Sequence, residues 1–156
     1  MRYIPQNAGI MLAWPPERPI VEEPACQDPE VRPSGLDVLL DRRCPVLRPD
    51  PLGMSLLLTS PAYLLAIPVI LWGWRRRLVA GAALAVIVIA LADLAHFSQG
   101  WVQFGYRFSN DFAPFAVLLV ALAIARSGIR PLNLLLVGAS VLINAWGVWW
   151  GVTLGW

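Results

Sequence analysis

The sequence contains no lysine and only one histidine, and charged residues make up 14% of its 156 positions. Because a soluble domain usually carries about 25% charged residues, this composition is not typical of soluble proteins. The net charge of +2 is too small to predict a nucleic-acid partner. A single histidine and two cysteines provide no zinc pattern, and we expect no metal and no other cofactor. Dinucleotide-binding, P-loop, nucleophile-elbow and zinc-protease motifs are also absent.

Apolar residues are abundant instead, at 58% of the chain, with a mean hydropathy of +0.62. Four long apolar runs follow Gly53, and a helix needs about 20 residues to cross the hydrocarbon layer. We therefore expect an all-α integral membrane bundle of about four transmembrane helices. Their predicted ranges are about 54–74, 78–97, 109–126 and 131–154. Pro61 and Pro68 lie inside the first run, where we expect them to kink the helix.

Residues 1–53, here called the head segment, contain ten of the fourteen prolines and eight of the ten acidic residues. Because proline removes backbone donors, we expect an irregular extramembrane segment, with a short helix or turn only around 35–43. The 54–156 region forms the predicted transmembrane domain. Cys26 and Cys44 both lie in the head segment. We expect free thiols there, and a disulfide only if the segment faces an oxidising compartment.

Arginine is unevenly distributed among the connections between the apolar runs. The turns at 75–77 and 126–130 carry five arginines and no acidic residue, whereas the 98–110 loop carries Arg107 alone. Positively charged turns stay in the cytoplasm. We therefore expect a multi-pass protein of the inner (plasma) membrane, with the 98–110 loop and the head segment on the extracytoplasmic side.

The 96–115 stretch collects all five phenylalanines and the only histidine between two apolar runs. We interpret His96 as an interfacial side chain, because a lone imidazole is a poor metal site. Arg107 and Asp111, four residues apart, form either an ion pair at the helix start or part of a polar site. Guanidinium groups suit phosphate, and aromatic rings pack on sugars or form an interfacial belt. The candidate substrate-binding residues are Trp101, Gln103, Tyr106, Arg107 and Asp111.

Four stretches occur in order along the chain: RYIPQNAGIMLAWPP, RPDPLGMSLLLTSPAYLLA, GWVQFGYRFSNDFAPF and VLINAWGVWWG. They resemble the C-terminal portion of a family of bacterial polytopic membrane proteins, described as GT-C-type glycosyltransferases or uncharacterised relatives. The resemblance covers nearly the whole chain and is weaker over 17–47. It implies a polytopic helical fold and a polyprenyl-phosphate sugar as the ligand. Asp111 matches the family's motif, but the resemblance does not identify it as a catalytic base.

In GT-C enzymes the catalytic carboxylate usually lies in the first outward loop, which this chain is expected to lack. The resemblance therefore implies a module that is not catalytic alone and works with the N-terminal part of a split glycosyltransferase. The alternative is a non-catalytic small membrane protein that acts as a partner or assembly subunit. Small residues at 81–85 and 138–147 would permit close helix contacts, and Asn144 could bond across helices. A transporter has less support, because the chain has no repeated half.

Overall fold

The computed structural model describes residues 3–31, 33–35, 37–98 and 102–156. Within these residues the protein is all-helical, so the predicted fold class is confirmed. The only extended pairing in the described part is an isolated antiparallel bridge between Glu17 and Arg48. The helices are α1 (Ile4–Ala13), α2 (Pro19–Glu22), α3 (Asp37–Leu40), α4 (Leu56–Thr59), α5 (Ala66–Gly73), α6 (Arg77–Ala95), α7 (Ser109–Ser127) and α8 (Pro131–Leu154). Two 3-10 turns, Pro24–Cys26 and Pro61–Leu65, lie between them.

Helices α6, α7 and α8 are long and apolar enough to cross a membrane, with 19, 19 and 24 residues. Their bounds lie within two residues of the predicted runs. Local signals explain the ends: Pro131 lies in the first turn of α8, and the glycines after α7 and α8 adopt positive φ angles. The three helices indicate a membrane protein.

The first apolar run is not the single kinked helix that we expected. It is divided into α4, the Pro61–Leu65 turn and α5, and the break falls at Ser60, with φ −139° and ψ 66°. Pro61 has no N–H to donate, and its ring disfavours the helical conformation for the residue before it. The apolar helical stretch after the break, Pro61–Gly73, is shorter than the three long helices.

Helix α8 supplies the hydrogen bonds that this break leaves unmade. Asn144 Nδ2 donates to the carbonyl oxygen of Thr59 at 2.8 Å, and the backbone N–H of Ala62 donates to Ser140 Oγ at 3.0 Å. The prediction that Asn144 bonds across helices is therefore confirmed. Because unpaired backbone groups are costly inside a membrane, these two side chains make the irregular backbone tolerable.

The main core lies among α5, α6 and α7 and the 3-10 turn before α5. Ala82 and Ala83 of the 81–85 stretch are buried in this core. Such small residues allow the helices to approach each other closely. The small residues of α6 therefore serve packing inside the bundle. The buried members of the core are Leu65, Ala66, Val69, Val79, Ala82, Ala83, Leu119, Val120 and Ala123.

The head segment is more ordered than its prolines predict. Helix α1 occupies ten residues that we expected to be irregular. Pro5 lies in its first turn, where the missing N–H costs little, and no other proline occurs before its end. The short helix α3 lies within the 35–43 stretch, where a helix or turn was expected.

A disulfide and an ion-pair cluster hold the later part of the head segment together. Cys26 and Cys44 form a disulfide with a Cα–Cα distance of 5.3 Å, in contrast to the free thiols that we expected. The Arg48 guanidinium contacts the carboxylates of Glu17 at 2.8 Å and Glu23 at 3.1 Å. Burial lowers the pKa of Arg48, but the two carboxylates outweigh that effect and raise it overall.

Candidate functional site

The 102–108 loop is held against the end of the head segment by Gln103. Its backbone N–H donates to the carbonyl oxygen of Pro51 at 3.1 Å, and its Nε2 donates to the carbonyl oxygen of Leu52 at 2.6 Å. Its Oε1 accepts a hydrogen bond from the backbone N–H of Arg107 at 2.9 Å. Gln103 is buried, at 5% exposed. The side chain of this predicted site residue thus positions the backbone that carries Arg107.

Tyr106 is buried beneath the same loop, at 1% exposed. Its ring packs in a small core with Ile10 of α1 and Leu94 of α6, and its hydroxyl donates to the carbonyl oxygen of Asp93 at 3.3 Å. Burial, and then the negative charge of Asp93, raises the pKa of Tyr106 to about 12. The residue therefore joins the loop, the head segment and α6.

The raised pKa predicts how Tyr106 ionises. Its folded-state pKa lies above the ordinary value of 10.0, so its contribution to stability is complete below pH 10.0 and is lost as the pH rises towards about 12. We expect the phenolate absorbance of the wild type minus that of Tyr106→Phe to rise near pH 12. A difference that rises near pH 10 would show that the phenol is exposed to solvent.

A polar cavity of about 320 Å³ lies between the 102–108 loop, the break after α4, and α8. Hydroxyl, amide and guanidinium groups line it together with a few aromatic and apolar side chains, and Gly105 contributes backbone. The lining residues are Leu56, Thr59, Ser60, Tyr63, Val102, Gln103, Phe104, Gly105, Tyr106, Arg107, Ser109, Asn110 and Asn144. We refer to this space below as the polar cavity.

Three of the five predicted site residues, Gln103, Tyr106 and Arg107, line the polar cavity. Trp101 lies outside the described residues. Asp111 does not line the cavity, and it lies exposed in the first turn of α7, where a negative charge suits the helix dipole. The structure therefore brings three of the predicted residues together around one cavity and leaves Asp111 outside it.

The ion pair between Arg107 and Asp111, one of the two arrangements considered from the sequence, is not formed. Salt bridges in the described part of the chain involve only Arg48. Helix α7 begins at Ser109, so Arg107 lies in the preceding loop and not on the same helical face as Asp111. The guanidinium of Arg107 instead lies 5.7 Å from the centre of the Phe108 ring. Arg107 is exposed and forms no salt bridge with a carboxylate in the described residues.

The sequence interpretation missed the part of the polar cavity that comes from the broken first run. Thr59, Ser60 and Tyr63 line it, as does Asn110 of α7. A signal was available, because Pro61 after two hydroxyl residues indicates a break that exposes polar groups within an apolar run. Asn144 was recognised for bonding between helices but not as part of a site.

Phe104 lines the polar cavity and packs against α8. Its ring lies directly on Gly147, and its edge meets Trp146 with ring centres 5.9 Å apart. The cavity thus combines one cation that forms no salt bridge with neutral hydrogen-bonding groups and an aromatic wall, an arrangement that can bind a polar anion.

Comparisons with protein-family models, with curated proteins and with solved structures found no match to this chain.

Proposed function

We propose that this chain is a membrane module that binds the phosphorylated headgroup of a lipid-linked sugar, as part of a GT-C-type glycosyltransferase. The observation that carries this proposal is the exposed, unbalanced guanidinium of Arg107 beside a polar cavity, next to helices long enough to cross a membrane. A guanidinium binds phosphate through two parallel hydrogen bonds. The side chains of Thr59, Ser60 and Asn110 can form hydrogen bonds with sugar hydroxyls, and the Phe104 ring offers an apolar face on which a sugar ring can pack.

The proposed module binds its ligand and does not catalyse transfer alone. Within the described residues no carboxylate lines the polar cavity, and a general base must lie within hydrogen-bond reach of the proton that it removes. The catalytic carboxylate would therefore come from elsewhere in the assembled enzyme, such as the N-terminal part of a split glycosyltransferase. This division of labour agrees with the resemblance to a C-terminal portion of the family.

The proposed location is the inner (plasma) membrane, with the arginine turns at 75–77 and 126–130 in the cytoplasm. The positive-inside rule supports this orientation. It places the polar cavity, the 98–110 loop and the head segment on the extracytoplasmic side. A disulfide between Cys26 and Cys44 is consistent with an oxidising compartment on that side.

Replacement of Arg107 by glutamine tests the proposed binding. We expect Arg107→Gln in phosphatidylcholine nanodiscs to weaken the binding of a short-chain polyprenyl phosphate about tenfold or more, because a charge-assisted hydrogen bond contributes about 1.5–3 kcal/mol. Binding of the matching unphosphorylated polyprenol should be weak for both proteins. The dissociation constants can be measured by microscale thermophoresis.

Arg130→Gln is the matched control, because Arg130 precedes α8 and lies beyond the other end of α7 from Arg107. It should bind the polyprenyl phosphate like the wild type. Equal binding of the phosphate and the polyprenol by the wild type would contradict the proposal. Unchanged binding by Arg107→Gln would also contradict it.

A second candidate function, that of a partner subunit, is favoured by the outer face of α8. Leu142 and Val152 on this helix are 72% and 80% exposed. Such a face contacts either lipid or another helix. Co-purification of a stable partner in mild detergent, together with no binding of polyprenyl phosphate, would favour this function over the first.

A further inference from the structure

A second cavity, separate from the polar cavity, lies between the head segment and α8. It is an apolar groove of about 610 Å³, within the range of about 300–1,000 Å³ typical of small-molecule sites. We refer to it as the apolar groove. Its lining includes Arg18, Leu47, Met54, Leu58, Leu142 and Trp146.

The walls of the apolar groove are fixed by specific contacts. Trp146 Nε1 donates to the carbonyl oxygen of Leu39 at 3.0 Å, which ties the indole of α8 to α3 of the head segment. Met54 is fully buried in the lining. Leu142, by contrast, lies on the exposed apolar face of α8. The groove is therefore continuous with this exposed apolar face of α8.

Helix α4 separates the apolar groove from the polar cavity. Leu58 lines the groove, whereas Leu56 and Thr59 of the same helix line the polar cavity. The edge-to-face contact of Phe104 with Trp146 closes the same boundary beside α8. The two cavities are therefore distinct sites, and a ligand in one need not enter the other.

Arg18 gives the apolar groove its chemical character. It is the only charged residue in the lining, and it forms no ion pair in the part of the chain that the structure describes. The neighbouring carboxylate of Glu17 is bound to Arg48 and forms no salt bridge with Arg18. An apolar groove beside a cation that forms no salt bridge complements a molecule with an apolar chain and an anionic head.

We propose that the apolar groove binds an anionic phospholipid of the surrounding bilayer, with one acyl chain in the groove and its phosphate against Arg18. The bilayer supplies this molecule directly to the exposed face of α8. The electrostatic attraction between one guanidinium near a membrane surface and anionic lipid contributes about 1 kcal/mol to the free energy of binding. The bound phospholipid joins the head segment to α8 and is separate from the ligand of the polar cavity.

Native mass spectrometry tests this proposal on the full chain, released from nanodiscs that contain equal parts of phosphatidylglycerol and phosphatidylcholine. We expect the wild type to retain one lipid, with phosphatidylglycerol preferred. Arg18→Gln should reduce that preference about fivefold, the equivalent of about 1 kcal/mol. Arg42→Gln, which changes another exposed head-segment arginine outside the groove, should retain the wild-type preference.

A second pair of variants tests the groove itself. Leu142→Trp should fill it and abolish retention of both lipids, whereas Leu135→Trp, one heptad earlier on the exposed face of α8, should retain phosphatidylglycerol. Arg107→Gln should also retain it, which separates this proposal from the one on the polar cavity. Equal retention of the two lipids, retention by Leu142→Trp, or displacement of phosphatidylglycerol by an equal amount of polyprenyl phosphate would overturn the proposal.

Discussion

Replacement of Gly53 by alanine is expected to destabilise the protein by about 3 kcal/mol or more. Gly53 has a φ of 105°, and an L-residue held in such a region costs of the order of 1–3 kcal/mol. The added Cβ would lie 2.8 Å from the carbonyl oxygen of Gly105 and 3.0 Å from Nε2 of Gln103. To relieve this contact the 102–108 loop must move, and the hydrogen bonds of Gln103 would then be lost.

Thermal unfolding in detergent, followed by circular dichroism, measures this loss. Gly128→Ala is a suitable control, because Gly128 also has a positive φ, at 76°, but an added Cβ would meet no atom within 4 Å. The control therefore shows the conformational cost alone, and Gly53→Ala should melt at a clearly lower temperature. Equal melting temperatures would mean that the loop accommodates the extra methyl group, contrary to the close contact in the structure.

The long helices could be predicted because their signals are local. The length and apolarity of the runs, with Gly128 at the end of α7 and Pro131 at the start of α8, are sufficient to locate these two helices. The break at Ser60 could not be predicted in the same way. Whether a proline kinks or divides a helix depends on the groups that satisfy the freed backbone. Here these are Asn144 and Ser140, which come from a distant helix.

In the head segment, tertiary contacts determine structural features that the amino-acid composition does not predict. Helix α1 is stabilised by packing against the end of α6, where Ile10 and Leu94 share a small core. The pairing of Cys26 with Cys44 depends on their proximity in the fold, which a separation of 18 residues does not specify. Neither helix α1 nor the disulfide can be predicted from the number of prolines in the segment.

The candidate site shows the same division between local and distant information. The sequence indicated the loop that lines the polar cavity, because its polar and aromatic residues lie together between two apolar runs. It did not indicate that the Gln103 amide would bind the backbone of Leu52, or that Tyr106 would pack under α1. The spacing of Arg107 and Asp111 predicted a contact only if one helix contained both residues, and α7 begins too late for that.

The second large effect is expected at Asn7, which is 1% exposed and lies in α1. Its Nδ2 donates to the carbonyl oxygens of Leu94 and His96, both at 3.0 Å. The last carbonyls of a helix have no partner within the helix, so Asn7 supplies a donor to the Leu94 carbonyl at the end of α6 and to the carbonyl of His96, just beyond that end. We expect Asn7→Ala to destabilise the protein by about 2 kcal/mol and to loosen α1. Thermal unfolding and hydrogen exchange of the 4–13 amides measure the two effects.

Two further variants separate hydrogen bonding from packing at this position. Asn7→Asp keeps the shape of the side chain but replaces the donor with a negative charge beside two carbonyl oxygens and the C-terminal end of a helix dipole. It should therefore be at least as destabilising as Asn7→Ala. Gln6→Ala changes an exposed neighbour on α1 and should shift the free energy of unfolding by no more than about 0.5 kcal/mol. If Asn7→Asp were as stable as the wild type, donation by Asn7 would not be what attaches α1 to α6, and the packing of Ile10 would have to account for it.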